Sequence, residues 1–173
     1  MVCILILGGA RSGKSRFAQE LASQFGEEVL FVATGSPLDE EMRQRIEEHR
    51  KNRPGSWRTL EVSTNAGKKI ADSGKQVVVL DCITLLINNV IEEHNGENPK
   101  GWVSREIEEL IECIDKIDGT FIIVSNEVGM GIVPASKLGR TYRDLLGWAN
   151  QELAKCADEV YLMIAGIKIK IKP

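Results

Sequence analysis

The chain has 173 residues, of which 43% are hydrophobic and 27% are charged, and its formal net charge at pH 7 is −3. This composition is ordinary for a soluble globular protein, and the length predicts a single domain over residues 1–173. The mildly acidic balance argues against a nucleic-acid partner, and no apolar run approaches the length of a membrane span. The four cysteines form no C-x-x-C pair, so we expect reduced thiols in a cytoplasmic protein.

The predicted elements alternate along the chain. Four segments are almost entirely apolar, at Val2–Leu7, Val29–Ala33, Val77–Leu80 and Phe121–Val124. Continuous apolar strands are typical of a mostly parallel sheet that helices cover on both faces. Helical patterns lie between and after them, at Lys14–Phe25, Leu38–Lys51, Thr84–Glu93, Trp102–Ile117 and Ser136–Cys156. This alternation predicts an α/β fold.

The last part of the chain has a different pattern. Glu159–Ile164 is apolar, Gly166 provides a turn, and Ile167–Lys172 alternates isoleucine with lysine. Alternation indicates a strand with one solvated face, so we predict an antiparallel edge strand whose lysines discourage aggregation. The polar segment Glu92–Gly101 is predicted to be a loop in which His94 is exposed and has no role.

The junction of the first strand and first helix carries the strongest motif. Gly8-Gly9-Ala10-Arg11-Ser12-Gly13-Lys14-Ser15 matches G-x-x-x-x-G-K-[ST], the pattern of a phosphate-binding P-loop. Its glycines allow backbone amides to turn toward phosphates, and the positive end of the helix dipole adds to the attraction. Lys14 is predicted to contact the β- and γ-phosphates, and the Ser15 hydroxyl is predicted to ligate Mg²⁺.

A second metal ligand is predicted at the end of a buried strand, where Asp81 follows Val77–Leu80. The carboxyl ends of parallel strands line the ligand crevice of an open α/β sheet, so Asp81 and Ser15 are expected to converge on Mg²⁺. The alternative is a structural aspartate that caps the next turn. The Asn-Lys-x-Asp motif of regulatory GTPases is missing from the sequence, and a small-molecule kinase remains open.

One histidine lies in an arginine-rich helical segment that Pro54 ends. At 3.6 residues per turn, Met42, Ile46 and His49 fall on one face of this helix. From this pattern alone, His49 is either a histidine at the edge of the core or a neutral nucleophile that attacks phosphorus. The nearby cations that would hold a triphosphate are Arg45, Arg50, Lys51, Arg53 and Arg58.

Several blocks of the sequence together resemble one enzyme family. They are "GGARSGKSRFAQ", "VATG", "DEEMRQRIEEHRKNRPGSWRTLE", "LDCITLLINN", "SNEVGMGIVP", "WANQELAKCADEVYLMIAG" and "GIKIKIK". The chain resembles the bifunctional adenosylcobinamide kinase / adenosylcobinamide-phosphate guanylyltransferase family of cobalamin biosynthesis nearly end to end. The resemblance implies a RecA-like P-loop NTPase fold and a homotrimer.

The resemblance also implies two reactions. A nucleoside triphosphate, ATP or GTP, phosphorylates the aminopropanol hydroxyl of adenosylcobinamide, and GMP is then transferred from GTP through a guanylylated histidine, which gives adenosyl-GDP-cobinamide and pyrophosphate. The family's pattern R-I-x-x-H-x-x-x-R-P places this histidine at His49, which joins Lys14 as a predicted catalytic residue. The implied nucleotide contacts are Gly8, Gly9, Ala10, Arg11, Ser12, Gly13, Lys14, Ser15, Ala33, Thr34, Gly35, Arg50, Lys51, Asn52, Arg53, Glu61 and Asp81.

Two other functions stay open from the residues alone. One is a P-loop small-molecule kinase without guanylyl transfer, and the other is a nucleotide-dependent binding or regulatory module without turnover. The block "SNEVGMGIVP" also has two interpretations. Glu127 follows a buried strand, so this block is either a turn set by Gly129 and Gly131 or a loop that binds the corrinoid or another subunit.

Overall fold

The structure of the protein, a computed structural model, describes residues 1–35, 40–51, 53–74 and 76–173. The strands are β1 (Val2–Gly8), β2 (Val29–Ala33), β3 (Arg58–Glu61), β4 (Val77–Asp81), β5 (Thr120–Val124), β6 (Glu159–Ile164) and β7 (Ile167–Lys172). The helices are α1 (Lys14–Ala22), α2 (Glu40–Lys51), α3 (Ala66–Ala71), α4 (Ile83–Glu93), α5 (Pro99–Lys116) and α6 (Lys137–Cys156).

The strands form one sheet in the order β3-β2-β4-β5-β1-β6-β7. All neighbouring pairs are parallel except β6 and β7, which pair antiparallel. The predicted α/β fold, with a mostly parallel sheet and an antiparallel edge strand at the end of the chain, is therefore confirmed. Among the described residues, no helix is both long enough and apolar enough to cross a bilayer.

Alternate residues of the buried strands belong to two cores. Leu30 and Val32 of β2 pack in the larger core, which also contains apolar side chains of α3, α4, α5 and α6. Phe31 of the same strand faces the smaller core with Phe17 and Ala18 of α1. Helices thus cover both faces of the sheet, which explains why the predicted strands are continuously apolar.

Two short elements lie outside the predicted pattern. β3 has four residues and pairs only with β2, and three of its residues are exposed, so it has no apolar run. α3 has six residues, too few for a helical repeat of apolar positions.

The prediction of one solvated face on β7 is wrong. Both faces of this outermost strand are open, and Ile167, Ile169 and Ile171 are 66%, 45% and 54% exposed. The lysines are not all solvated either, since the half-buried Lys172 donates from its Nζ to the carbonyl oxygens of Ala154 and Lys155 at 2.9 and 3.2 Å. The covering helices lie over β1 and its neighbours, so they leave the edge strand bare.

Candidate active site

The predicted site residues gather at the carboxyl edge of the sheet. In the strand register, Asp81 of β4 pairs with Ala33 of β2, and Ala33 pairs with Glu61 of β3. β1 ends at Gly8, and the P-loop leads from it to α1 at Lys14. Parallel pairing therefore brings three separate parts of the sequence to one crevice, as α/β folds do for their ligands.

The backbone of the P-loop needs its glycines. Gly8 has a φ of 151°, and a Cβ on this residue would clash with the carbonyl oxygen of Met163. Gly13 has a left-handed φ of 93° and immediately precedes α1. Residues that carry a side chain rarely adopt these backbone conformations, so only glycine fits both positions without strain.

Lys14 is the buried cation of the loop, with only 7% of the residue exposed. Its Nζ donates a hydrogen bond to the carbonyl oxygen of Gly9 at 2.6 Å. Burial lowers the pKa of Lys14, and the negative charge of Asp81 opposes this change. A desolvated ammonium group in such a loop interacts more strongly with a phosphate than a hydrated one does.

Ser15 and Asp81 fit a magnesium ion by their chemistry. Ser15 is half-buried in the first turn of α1, and Asp81 is half-buried at the end of β4. Hydroxyl and carboxylate oxygens are ligands that Mg²⁺ prefers, and the ion usually takes few of them from the protein. Within the described part of the chain, there is no cluster of three or more His, Cys, Asp or Glu side chains that could hold a metal ion.

Hydrogen bonds of Thr34 connect the end of β2 to the residue that follows β4. Its hydroxyl accepts a hydrogen bond from the amide of Cys82 and donates one to the carbonyl oxygen of the same residue, both at 2.7 Å. Asn89 donates from its side-chain amide to the carbonyl oxygen of Thr34 at 2.8 Å. Sequence reasoning missed Asn89, for which the only signal is an amide side chain in the otherwise apolar helix "ITLLINNVI".

Arg53 lies where β2 and β3 meet. Its guanidinium carbon is 3.5 Å from the centre of the Phe31 ring, and its Nη1 donates to the hydroxyl of Thr59 at 3.3 Å. Burial lowers the pKa of Arg53, whereas the charges of Asp81 and Glu61 oppose this effect. Arg53 is thus half-buried at the sheet, while Arg50 is exposed on α2.

Four predicted residues of this region are not described in full. Asn52 lies outside the described residues, and so do the side chains of Arg45, His49 and Lys51, whose backbones belong to α2. Ile46 is one helical turn before His49, and its Cδ1 is 3.6 Å from the position that a Cβ on Gly35 would take. This turn of α2 therefore packs against the segment that follows β2.

The segment after β5 runs beside the P-loop. The amide of Glu127 donates to the carbonyl oxygen of Gly8 at 3.0 Å, and its carboxylate accepts from the amide of Gly129. These bonds agree with a turn at this position. The next residues project outward, since Met130 and Ile132 are 80% and 96% exposed, and a corrinoid or subunit contact there stays a prediction.

His94 differs from its prediction as an exposed loop residue. It is half-buried at the end of α4, and its ring stacks on Trp102 with the two centres 3.8 Å apart. The first turns of α5 bring Trp102 against it, a contact between helices that the polar loop sequence does not indicate.

Comparison with known proteins identifies the family. The family model described as cobinamide kinase / cobinamide phosphate guanyltransferase (CobU) matches residues 4–171. The chain belongs to this family. It is 43% identical over 180 residues to the bifunctional adenosylcobalamin biosynthesis protein CobU of Escherichia coli K12, covering 98% of this chain and 99% of the relative. It is 41% identical to the corresponding protein CobP of Pseudomonas aeruginosa, covering 97% and 96%.

The cobinamide kinase / guanyltransferase family accounts for the resemblance found in the sequence. Membership confirms the predicted class of function, an enzyme that joins a kinase to a guanyltransferase, and favours it over a kinase alone.

Solved structures agree on the fold. The chain matches an ATPase of a bacterial type III secretion system with a TM-score of 0.62 at 13% identity, and the RadB recombinase with a TM-score of 0.50 at 18% identity. The match with the ATPase covers 98% of this chain and 56% of the ATPase, and the match with the recombinase covers 93% of this chain and 73% of the recombinase. At these identities the likeness concerns the fold alone, and it confirms the predicted RecA-like P-loop architecture.

Proposed function

We propose that this chain phosphorylates the aminopropanol hydroxyl of adenosylcobinamide and then transfers GMP from GTP to the new phosphate. The main support is the meeting of the P-loop, Asp81 and the segment after β2 at one edge of the sheet, in a member of the cobinamide kinase / guanyltransferase family. The product would be adenosyl-GDP-cobinamide. We further propose a single domain over residues 1–173, working in the cytoplasm.

In the kinase reaction, the P-loop holds the triphosphate of ATP or GTP. Its backbone amides and the ammonium group of Lys14 contact the phosphates, and Ser15 and Asp81 would hold Mg²⁺. When bound, Mg²⁺ neutralises charge on the phosphate oxygens. The substrate hydroxyl attacks the γ-phosphorus and releases its proton to solvent, while the bond from this phosphorus to the bridging oxygen of the nucleoside diphosphate breaks.

In the guanylyl transfer, the same loop holds the triphosphate of GTP, and His49 acts as the nucleophile. A ring nitrogen of His49 bonds to the α-phosphorus while the bond to pyrophosphate breaks. A phosphate oxygen of adenosylcobinamide phosphate then attacks that phosphorus, and the bond to the imidazole breaks. Arg50 and Arg53, which follow His49 closely, stabilise the charge on the transferring group.

A homotrimer is also part of the proposal. Isoleucines at one end of the sheet are exposed, Ile164 by 53% and Ile167 by 66%, and contiguous apolar surface of this kind marks protein contacts. Sedimentation equilibrium of the purified protein measures the assembly directly, and a monomer at micromolar concentration would contradict it.

The decisive experiment concerns the covalent intermediate. The protein is incubated with GTP labelled on the α-phosphate and Mg²⁺, and protein-bound GMP is mapped by mass spectrometry. We expect GMP on His49 through a P–N bond that is labile to acid and stable to alkali. His49→Ala should lose guanylyl transfer by about 10⁴-fold or more, as removal of an essential nucleophile does. Its phosphorylation of adenosylcobinamide should largely persist.

His94→Ala is the matched control, because His94 is the other histidine of the chain and stacks on Trp102 of α5. It should keep both activities. A normal rate of adenosyl-GDP-cobinamide formation by His49→Ala, or GMP mapped to another residue, would refute the histidine intermediate.

A further inference from the structure

The ring of Phe31 holds Arg53 just beyond the helix that carries His49, and the ring of Trp57 stacks on Phe31. Phe31 lies in the middle of β2 and is 1% exposed, and Trp57 stacks on it with ring centres 6.4 Å apart and an angle of 26° between the planes. The guanidinium of Arg53 lies over the Phe31 ring at 3.5 Å. We call Phe31 and Trp57 the aromatic seat.

Arg53 is tied at once to the seat and to α2. Its amide donates to the carbonyl oxygen of Arg50, in the last turn of the helix, at 3.3 Å. On the other side, the amide of Trp57 donates to the carbonyl oxygen of Pro54 at 3.1 Å, which folds the chain back toward β3. The seat therefore fixes the point at which α2 ends.

The guanidinium rests on the ring face and makes few hydrogen bonds among the described residues. Within the described part of the chain, its buried Nε makes no hydrogen bond, and its side chain donates from Nη1 to Thr59 alone. A cation over an aromatic ring is attracted to the negative face of the ring, and this attraction is stronger where the cation has lost water. The ring thus supplies a specific position for the arginine, which an apolar side chain of the same size would not.

A second contact fixes the same helix one turn before His49. Ile46 packs near Gly35, which follows β2 by two residues, and Leu85 of α4 packs near the same glycine. α2 is therefore fixed to β2 and the segment after it on both sides of His49, at Ile46 and at Arg53. A displacement of one contact rotates or shifts the backbone of His49 relative to the P-loop.

We propose that Phe31 and Trp57 are positioning residues for guanylyl transfer, which hold His49 in register with the P-loop through Arg53. This inference rests on the nucleophilic role proposed for His49. A misplacement of about 1 Å can cost roughly 100-fold in the rate of an oriented reaction. Phosphorylation of the hydroxyl does not use His49, so a disturbed seat should separate the two activities.

The test compares Phe31→Leu with Phe121→Leu. Phe121 is also 1% exposed, but it lies on β5 in the larger core. Both variants lose a buried ring and should lose similar amounts of stability, which denaturant unfolding checks. We expect Phe31→Leu to form protein-bound GMP about 10- to 100-fold more slowly at saturating GTP, and to phosphorylate adenosylcobinamide within about threefold of the natural rate. Phe121→Leu should keep both rates.

Retention of the ring face provides the rescue. Phe31→Tyr should restore most of the rate of adduct formation, whereas Phe31→Met, which fills the space without a ring, should not. If Phe31→Leu fails to fold, Phe31→Met takes its place in the comparison. Equal loss of both activities in Phe31→Leu, or the same loss in Phe121→Leu, would overturn the positioning role. If the unaltered protein forms no GMP adduct on His49, the proposed function fails first and the seat loses its purpose with it.

Discussion

The ammonium nitrogen of Lys14 lies 2.6 Å from the carbonyl oxygen of Gly9, so the cation of the P-loop is fastened to the loop's own backbone. This bond keeps a buried charge beside the backbone amides that face the phosphates. The same loop would serve the γ-phosphoryl transfer and the attack on the α-phosphorus, and its lysine is therefore the residue on which both reactions depend most directly.

We expect Lys14→Ala to slow both reactions by about 100-fold or more, because loss of a positioned charge on the phosphates removes transition-state stabilisation. Rates of adenosylcobinamide phosphorylation and of protein-bound GMP formation are measured on the same preparation. Lys116→Ala, which alters an exposed lysine paired with Glu112 on α5, is the control and should change neither rate. If phosphorylation vanished while adduct formation stayed normal, the two reactions would not share the loop.

Asp81→Asn should weaken the dependence on Mg²⁺ without unfolding the protein. The amide retains the size of the carboxylate but lacks its charge, so a higher Mg²⁺ concentration should be needed for half-maximal activity. A magnesium titration of both reactions measures this shift, and the melting temperature checks the fold. Asp144→Asn removes an exposed carboxylate paired with Arg143 and should leave the titration unchanged. An unaltered titration for Asp81→Asn would assign Asp81 to the turn after β4 alone.

Gly8→Ala should cost about 2–4 kcal/mol of unfolding free energy, because the new Cβ meets the carbonyl oxygen of Met163 and the backbone conformation disfavours a side chain. The neighbouring substitution Gly9→Ala is the matched control, since a Cβ there meets nothing within 4 Å. Chemical denaturation should place Gly9→Ala within about 0.5 kcal/mol of the unaltered protein. Equal stability of the two variants would contradict the tight approach of β1 to β6.

Glu106→Gln should destabilise the fold by about 1.5–3 kcal/mol. This carboxylate is buried on α5, and its two oxygens accept hydrogen bonds from the amides of Asn65 and Ala66, at 2.8 and 2.7 Å, at the start of α3. The amide side chain offers one acceptor and brings a donor to the second amide. Glu112→Gln, on the exposed side of the same helix, should cost less than about 0.5 kcal/mol. Similar unfolding curves for the two variants would show that the buried carboxylate does not hold α3.

The sequence predicted the parts of the fold that have strong local patterns. The four apolar strands are the continuous runs that burial on both faces of a sheet requires. The five long helices have enough residues to show a helical pattern. β3 was missed because an edge strand of four mostly exposed residues has no such run, and α3 because six residues are too few to show a helical period. These short elements take their structure from their neighbours.

The residues of the site likewise fall into those that a local pattern predicts and those that only the fold brings together. Gly8–Ser15 and Asp81 could be predicted because the motif and the strand end are read along the chain. Two hydrogen bonds join Thr34 to Cys82, and the ring of Phe31 lies under Arg53, and both contacts bring together residues that are distant in sequence. Such contacts depend on the register of neighbouring strands, which no local pattern specifies.

Asp81, Ala33 and Glu61 form a row across three parallel strands, and this row fixes the spacing of residues along the crevice. Neighbouring strands are about 4.8 Å apart, so the backbones of the two acidic residues are held about 10 Å from each other by hydrogen bonds between main chains. Changes of core side chains leave this interval intact, but deletion of one residue within β2 would invert that strand's faces and break the row. The crevice can therefore tolerate variation in the lengths of the surrounding loops, whereas a one-residue change in length inside its central strands would destroy it.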